Sequence, residues 1–230
     1  MKQGHLAALR EAATTRRPVA YAVRLADGVS FVLPDPAAQA ALAQAGADAL
    51  AADRTAIVEI GAERWFIEAR NPAPRLVIVG AVHIAQALAP LAVTSGFDVT
   101  VIDPRTGFAA PERFPNVRID TAWPDEALAT MQIDARTAIV TLTHDPKLDD
   151  PALTSALASA AFYIGALGSQ RTHARRLDRL REAGFDEANL ARIASPVGLD
   201  IGARTAPEIA VSVIAEIIGA RRGKRRERLA

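Results

Sequence analysis

Five segments of this sequence hold residues able to bind an anion or move a proton, and four of them lie at the end of a short apolar run. Gly80-Ala81-Val82-His83-Ile84-Ala85 comes first. It stands where a dinucleotide fingerprint, Gly-x-Gly-x-x-Gly/Ala, would stand, but Val82 takes the place of the second glycine, whose bare backbone normally approaches a pyrophosphate. A valine there argues against ordinary NAD binding or moves the phosphate aside. Asp103 lies 23 residues beyond Gly80, about where an acid grips a ribose hydroxyl, and Arg105 adds a planar fork for phosphate or carboxylate. The plainer alternative is that Asp103 caps its own turn. Thr143-His144-Asp145-Pro146-Lys147 brings together groups that transfer protons or hold charge, although Asp145 also suits a turn cap. Zinc held by His83 and His144 needs a spatial pairing that sequence does not supply, so no metal site is expected.

The other two segments are rich in glycine. Gly165-Ala166-Leu167-Gly168-Ser169-Gln170-Arg171 opens a helix, whose free N–H groups and dipole favour an anion; as a simple N-cap, Ser169 needs no ligand. The bases His173, Arg175, Arg176 and Arg179 that follow are expected on a solvated face. Gly198-Leu199-Asp200-Ile201-Gly202 is more glycine-constrained than a cap requires and has the length to close over a ligand. Thr205, Pro207 and Glu208 have capping-box spacing and read as structural.

The elements that position these groups alternate strand and helix. Continuous apolar strands are predicted at Arg75–Gly80, Val99–Asp103, Thr137–Thr143 and Phe162–Leu167, with helices at Val82–Thr94, near Pro124–Met131, and at Asp150–Ala160, Arg171–Ala183 and Pro207–Ala220. This predicts a Rossmann-like α/β domain over residues 75–222, a mostly parallel sheet with helices on both faces. Ligands of such sheets bind beyond the carboxyl ends of the strands. Residues 1–72 read as a small α+β domain. A helix at Leu6–Thr14 precedes two hairpins, one turning at Asp27-Gly28 and one at Gly61-Ala62-Glu63, with a helix at Pro36–Ala52 between them. Asn71-Pro72-Ala73-Pro74 is a stiff link between the domains. Residues 223–230 form a basic tail.

A net charge of +1 over 230 residues gives no footprint for nucleic acid. The absence of cysteine excludes disulfides and thiolate chemistry within these residues. No apolar run approaches the ~20 residues of a membrane helix. No signal sequence or lipidation motif opens the chain, so a cytoplasmic location is expected. Hairpin edges in the small domain have to be covered, which makes a homodimer plausible.

These five segments, with Glu112-Arg113-Phe114-Pro115 as a sixth, occur in the order seen in the XdhC/CoxI family: Gly80–Ala85, Asp103-Pro104-Arg105, Glu112 through Pro115, Thr143-His144-Asp145, Tyr163 through Ser169, and Pro196 through Gly202. The resemblance covers about Arg75 to Ala220. It implies an accessory factor for molybdenum hydroxylases such as xanthine dehydrogenase. Such a factor binds molybdenum cofactor, assists replacement of its oxo ligand by sulfur, and delivers it to the apo-enzyme. Many relatives have Gly-x-Gly-His at the first turn, and many carry Gly-rich motifs and a cysteine in the N-terminal part. This chain departs from both patterns, so its sulfur has to come from a cysteine desulfurase or another sulfurtransferase. The implied cofactor site comprises Gly80, Ala81, Val82, His83, Asp103, Arg105, Thr143, His144, Asp145, Gly165, Gly168, Ser169, Arg171, Gly198, Asp200 and Gly202, with no catalytic residue. Two rival readings are an NAD(P)-dependent oxidoreductase and a partner-docking module with a vestigial nucleotide site.

Overall fold

A strand buried on both faces has to be apolar nearly throughout, whereas a strand with one wet face alternates. The chain contains both kinds, and a computed structural model, which describes residues 3–224, divides accordingly into two units, Met1–Pro72 and Ala73–Ala230. Among the described residues no helix is long and apolar enough to cross a membrane.

In the first unit, helix α1 (Gln3–Thr14), strands β1 (Val19–Arg24) and β2 (Ser30–Leu33), helix α2 (Ala40–Ala52), and strands β3 (Ala56–Ile60) and β4 (Glu63–Arg70) follow one another. The strands form an antiparallel sheet in the order β2-β1-β4-β3. Its core joins Ala20, Ala22, Leu33, Leu42, Ala49, Trp65 and Ile67, so α2 covers one face. Helix α2 begins at Ala40 and not at Pro36. The Asp35 carboxylate accepts the Ala37 N–H at 2.8 Å, and this local turn delays the helix.

The second unit contains β5 (Arg75–Val79), α3 (His83–Thr94), β6 (Asp98–Ile102), β7 (Arg118–Asp120), α4 (Pro124–Thr130), β8 (Thr137–Thr141), α5 (Pro146–Leu157), β9 (Tyr163–Ala166), α6 (Gln170–Glu182), α7 (Glu187–Leu190), β10 (Ile193–Ala194) and α8 (Ala206–Arg221). All strand pairs are parallel, and the sheet order is β10-β9-β8-β5-β6-β7. This is the doubly wound order, reversing between β5 and β8. Side chains alternate between the faces with the two-residue period of a strand. Leu76, Ile78, Val99, Val101 and Val140 meet α3 and α8, whereas Val77, Val79, Ile102 and Ile139 meet α4, α5 and α6.

Helix α5 starts four residues earlier than the sequence predicts. Asp145 caps it by accepting the Lys147 N–H at 3.0 Å, and Pro146 fits the first turn, where no N–H is needed. The helix ends at Leu157, short of Ala160. The edge strands β7 and β10, of three and two residues, are too short to leave a periodic signal. At α8 the Thr205 and Glu208 capping box forms as expected. Residues 225–230 of the basic tail lie outside the described residues.

Ile78 sits in the central strand with 0% exposure. Ile78→Ala is expected to cost about 2–5 kcal/mol through lost burial plus a cavity, measured as a lower urea midpoint with an unchanged m-value.

Candidate functional site

The sheet opens at its carboxyl edge because the helices after β5 and β8 leave on opposite sides. At this split the two chains nearly touch. Gly80 adopts φ +108°, and a Cβ on it would lie 2.4 Å from Thr143 Cγ2. Gly80 donates its N–H to Ile102 O at 2.8 Å, and Leu142 donates to Val79 O at 2.9 Å. Only glycine fits here. Val82, by contrast, is extended (φ −86°) as the N-cap of α3, so the backbone does not call for glycine. Its side chain packs against the core beneath. No side chain caps α3, and its first turn holds no acid, leaving N–H groups open beside exposed His83.

Asp103 is fully buried, and both of its oxygens are occupied. Oδ2 accepts from the Ala81 N–H at 2.8 Å and from Arg105 Nη2 at 2.7 Å. Oδ1 accepts from the Arg105 N–H at 3.0 Å and from Arg105 Nε at 2.8 Å. Burial pushes its proton affinity up, but the Arg105 guanidinium and the two N–H groups outweigh it and hold the carboxyl below the usual range. The acid is therefore an internal clamp between β6 and the β5–α3 turn. Arg105 is the group that faces outward: its side chain is 37% exposed, and its guanidinium stacks 4.5 Å from the Phe108 ring centroid. The charges of Asp145 and Asp149, across the split, also act on Arg105.

Beyond β8, Thr143 Oγ1 donates to Asp149 Oδ1 at 2.6 Å and accepts the Asp145 N–H at 3.1 Å. His144 is exposed in a left-handed conformation, φ +64°. Asp149 is buried and pairs with Arg176 Nη2 at 3.4 Å; burial raises its proton affinity against the pull of Thr143 and Arg176. The expectation of a solvated face on α6 needs correction here, because Arg176 is only 2% exposed. It shares a helical face with Leu177 and Leu180, the latter also buried. That spacing is the signal the sequence offered; the density of charges along α6 masked it. His173 is half-buried, and burial followed by the Arg176 charge pushes its pKa down. Arg175 is exposed, and Arg179 pairs with Asp150. Sequence reasoning also passed over Asp149.

The glycines divide by role. A Cβ on Gly165 would meet Val197 Cγ2 at 2.6 Å, and one on Gly198 would meet Ser212 Oγ at 2.3 Å, so both serve close packing. Gly168 has φ +142° before Ser169, whose Oγ caps α6 by accepting the Thr172 N–H at 3.3 Å. Arg171 lies exposed in that first turn. Asp200 and Gly202 are exposed, while the start of their loop is tied to α8 by Leu199 N–H to Ser212 O, 3.2 Å. Among the described residues no group of three or more His, Asp or Glu converges as a metal site.

A parallel sheet in this order, with groups gathered at its reversal, defines a Rossmann domain of the kind that holds phosphate-bearing cofactors. Residues 76–217 match the XdhC Rossmann domain family, and the chain belongs to it. The resemblance carried by six ordered motifs is thus borne out. The chain is 38% identical over 151 residues to the molybdenum cofactor insertion chaperone PaoD of Escherichia coli (strain K12), covering 66% of this chain and 41% of PaoD. It is 37% identical over 158 residues to a probable xanthine dehydrogenase subunit of Bacillus subtilis (strain 168), covering 68% of this chain and 46% of that protein. It thus spans less than half the length of these two relatives. A crystal structure described as a xanthine dehydrogenase from Bacillus halodurans shares the fold, with a TM-score of 0.71 and 23% identity over 96% of this chain and 65% of that one.

Asp103 stabilises the folded state as a carboxylate, since its folded pKa lies below the unfolded one. That stability is fully present above a pH of about 4 and is lost as pH falls through the folded pKa. Asp103→Asn is expected to cost about 1–2 kcal/mol at pH 7, allowing for the exposure of Arg105. The gap to the unaltered protein closes on acidification, as urea denaturation at stepped pH will show.

Proposed function

We propose that this chain binds molybdenum cofactor at the carboxyl edge of its parallel sheet and supports its insertion into a molybdenum hydroxylase apo-enzyme such as xanthine dehydrogenase. The chain acts as a maturation factor and not as a catalyst. The observation that carries the reading is the 38% identity over 151 residues to a relative named as a molybdenum cofactor insertion chaperone.

The residues present suit such a group. A pterin cofactor carries phosphate, and the starts of α3 and α6 both lack acids in their first turns. Arg105, held rigid by Asp103, offers a flat cationic surface toward the crevice. His83, Arg105, His144, Ser169, Arg171 and Asp200 are the contact residues in this reading. Gly80, Asp103, Thr143, Asp145, Gly165 and Gly198 position them. The cofactor when bound supplies the molybdenum centre; the chain supplies charge, orientation and shelter from water. Because these 230 residues contain no cysteine, sulfur for the metal centre comes from a partner, a cysteine desulfurase or another sulfurtransferase. A homodimer completes the reading: Ile57, on the outer strand β3, is 54% exposed and is a surface a second copy can cover.

The test is titration of the purified protein with isolated molybdenum cofactor, NAD and NADP being the competitors. Stoichiometric binding that nicotinamides do not displace, and that Arg105→Ala weakens about tenfold, is the expected outcome. Failure to bind under conditions where PaoD binds would overturn the reading. Nicotinamide binding in its place would move the protein to the oxidoreductases.

A further inference from the structure

Arg176 is 2% exposed, and of its guanidinium only Nη2 is engaged. That nitrogen donates to Leu167 O at 2.9 Å and reaches Asp149 Oδ2 at 3.4 Å. Nε and Nη1 are buried without a hydrogen-bond partner. A guanidinium never gives up its charge in a protein, and a buried charge with one long ion pair and two unserved nitrogens is costly. Asp149 compensates it incompletely, because its other oxygen is committed to Thr143.

The position of this charge is informative. A Cβ on Gly168 would lie 3.3 Å from Thr172 Cβ and Cγ2 and 3.8 Å from Arg176 Nη1, so the bare backbone at Gly168 passes close to the guanidinium, beside the Thr172 side chain. The next residue, Ser169, is the N-cap of α6, a helix of 13 residues. Ser169 Oγ takes the Thr172 N–H and Ser169 O takes the His173 N–H. The N–H groups of Gln170 and Arg171 are left at the open end of the helix. That turn holds no acid and does hold the cation Arg171, which the helix dipole disfavours unless an anion is present. His173 Nδ1, in the same turn, is likewise buried without a partner.

We infer that the start of α6 is a phosphate-binding site whose charge comes from Arg176, buried beneath Gly168 with two guanidinium nitrogens unserved. The backbone N–H groups of the first turn grip the phosphate oxygens, and Arg176 beneath and Arg171 beside them supply positive charge. The site rests on the cofactor reading only for the source of its phosphate, either the phosphomonoester of a pterin or the diphosphate of a dinucleotide.

Calorimetric titration of the full chain with inorganic phosphate and with pyrophosphate, at constant ionic strength, tests the site. Ser169→Asp keeps a strong helix cap and adds a charge that suits the dipole, so its melting temperature should hold or rise. Its pyrophosphate affinity should fall at least about tenfold. Ala160→Asp, which adds the same charge at an exposed position before the amino end of β9, should stay within about threefold of the unaltered chain. In the unaltered protein the nitrogen resonance of the Arg176 side chain should shift on saturation with pyrophosphate. No binding, equal binding by Ser169→Asp, or an unmoved Arg176 resonance would each overturn the assignment. The cofactor reading is judged separately. If isolated molybdenum cofactor binds the unaltered chain and Ser169→Asp equally, the phosphate site falls and the carrier survives. If pyrophosphate binding depends on Ser169 but the cofactor does not bind, the site stands and the carrier falls. Titrating the mononucleotide-free and dinucleotide forms of the cofactor against both proteins tells monoester from diphosphate.

Discussion

Gly80 and Thr143 come so close that a single added carbon would overlap a methyl group, and the arrangement of the carboxyl edge follows from that contact. Two adjacent parallel strands end there, and their chains leave on opposite sides of the sheet. The contact fixes the spacing of the α3 start, the Asp103 clamp and the Thr143–Asp149 bond. Asp103 is tied to it through the Ala81 N–H, next to Gly80, and the Thr143–Asp149 bond starts from it. A crevice built this way is preformed: its width is set by backbone and not by side-chain rotamers.

Charge is distributed unequally across this edge. On the β6 side Asp103 is fully satisfied, and the cation it holds faces outward. On the β9 side the cation lies inside and its partner acid is divided between two donors. One side of the edge offers a rigid, partly exposed guanidinium and the other a buried, under-compensated one. In a site that excludes water, such buried charge acts with less screening than the same charge on the surface.

Most of the architecture was legible because apolar runs ending in glycine or acid leave few alternatives for a sheet covered on both faces. Gly80, Asp103 and Ser169 were legible as positions. The role of Asp103 was not: Arg105 stands two residues away in the sequence, but nothing in their order says that the arginine turns back and fills both oxygens. Arg176 was missed for a related reason. Its neighbours His173, Arg175 and Arg179 make α6 look polar all round, and only the spacing to Leu177 and Leu180 betrays an inward face. The late start of α2 and early start of α5 each turn on one aspartate, Asp35 and Asp145, whose choice of backbone partner is settled locally. Strands as short as β7 and β10 acquire their identity from the neighbour they pair with.

Helix α8 reaches back into the body of its domain through one side chain. Glu216, almost fully buried, accepts the hydroxyl proton of Tyr163 on β9 and the N–H of Gly198 in the loop beyond β10. Those donors stand 53 and 18 residues earlier in the chain. Cutting the polypeptide ahead of this helix removes an acceptor from both at once, and with it the apolar wall of Val213, Ile214 and Ile217. The smallest excisable fragment of the second unit therefore extends at least through Ile217 of this helix, and a boundary drawn at the last sheet strand divides an interior rather than trimming an end.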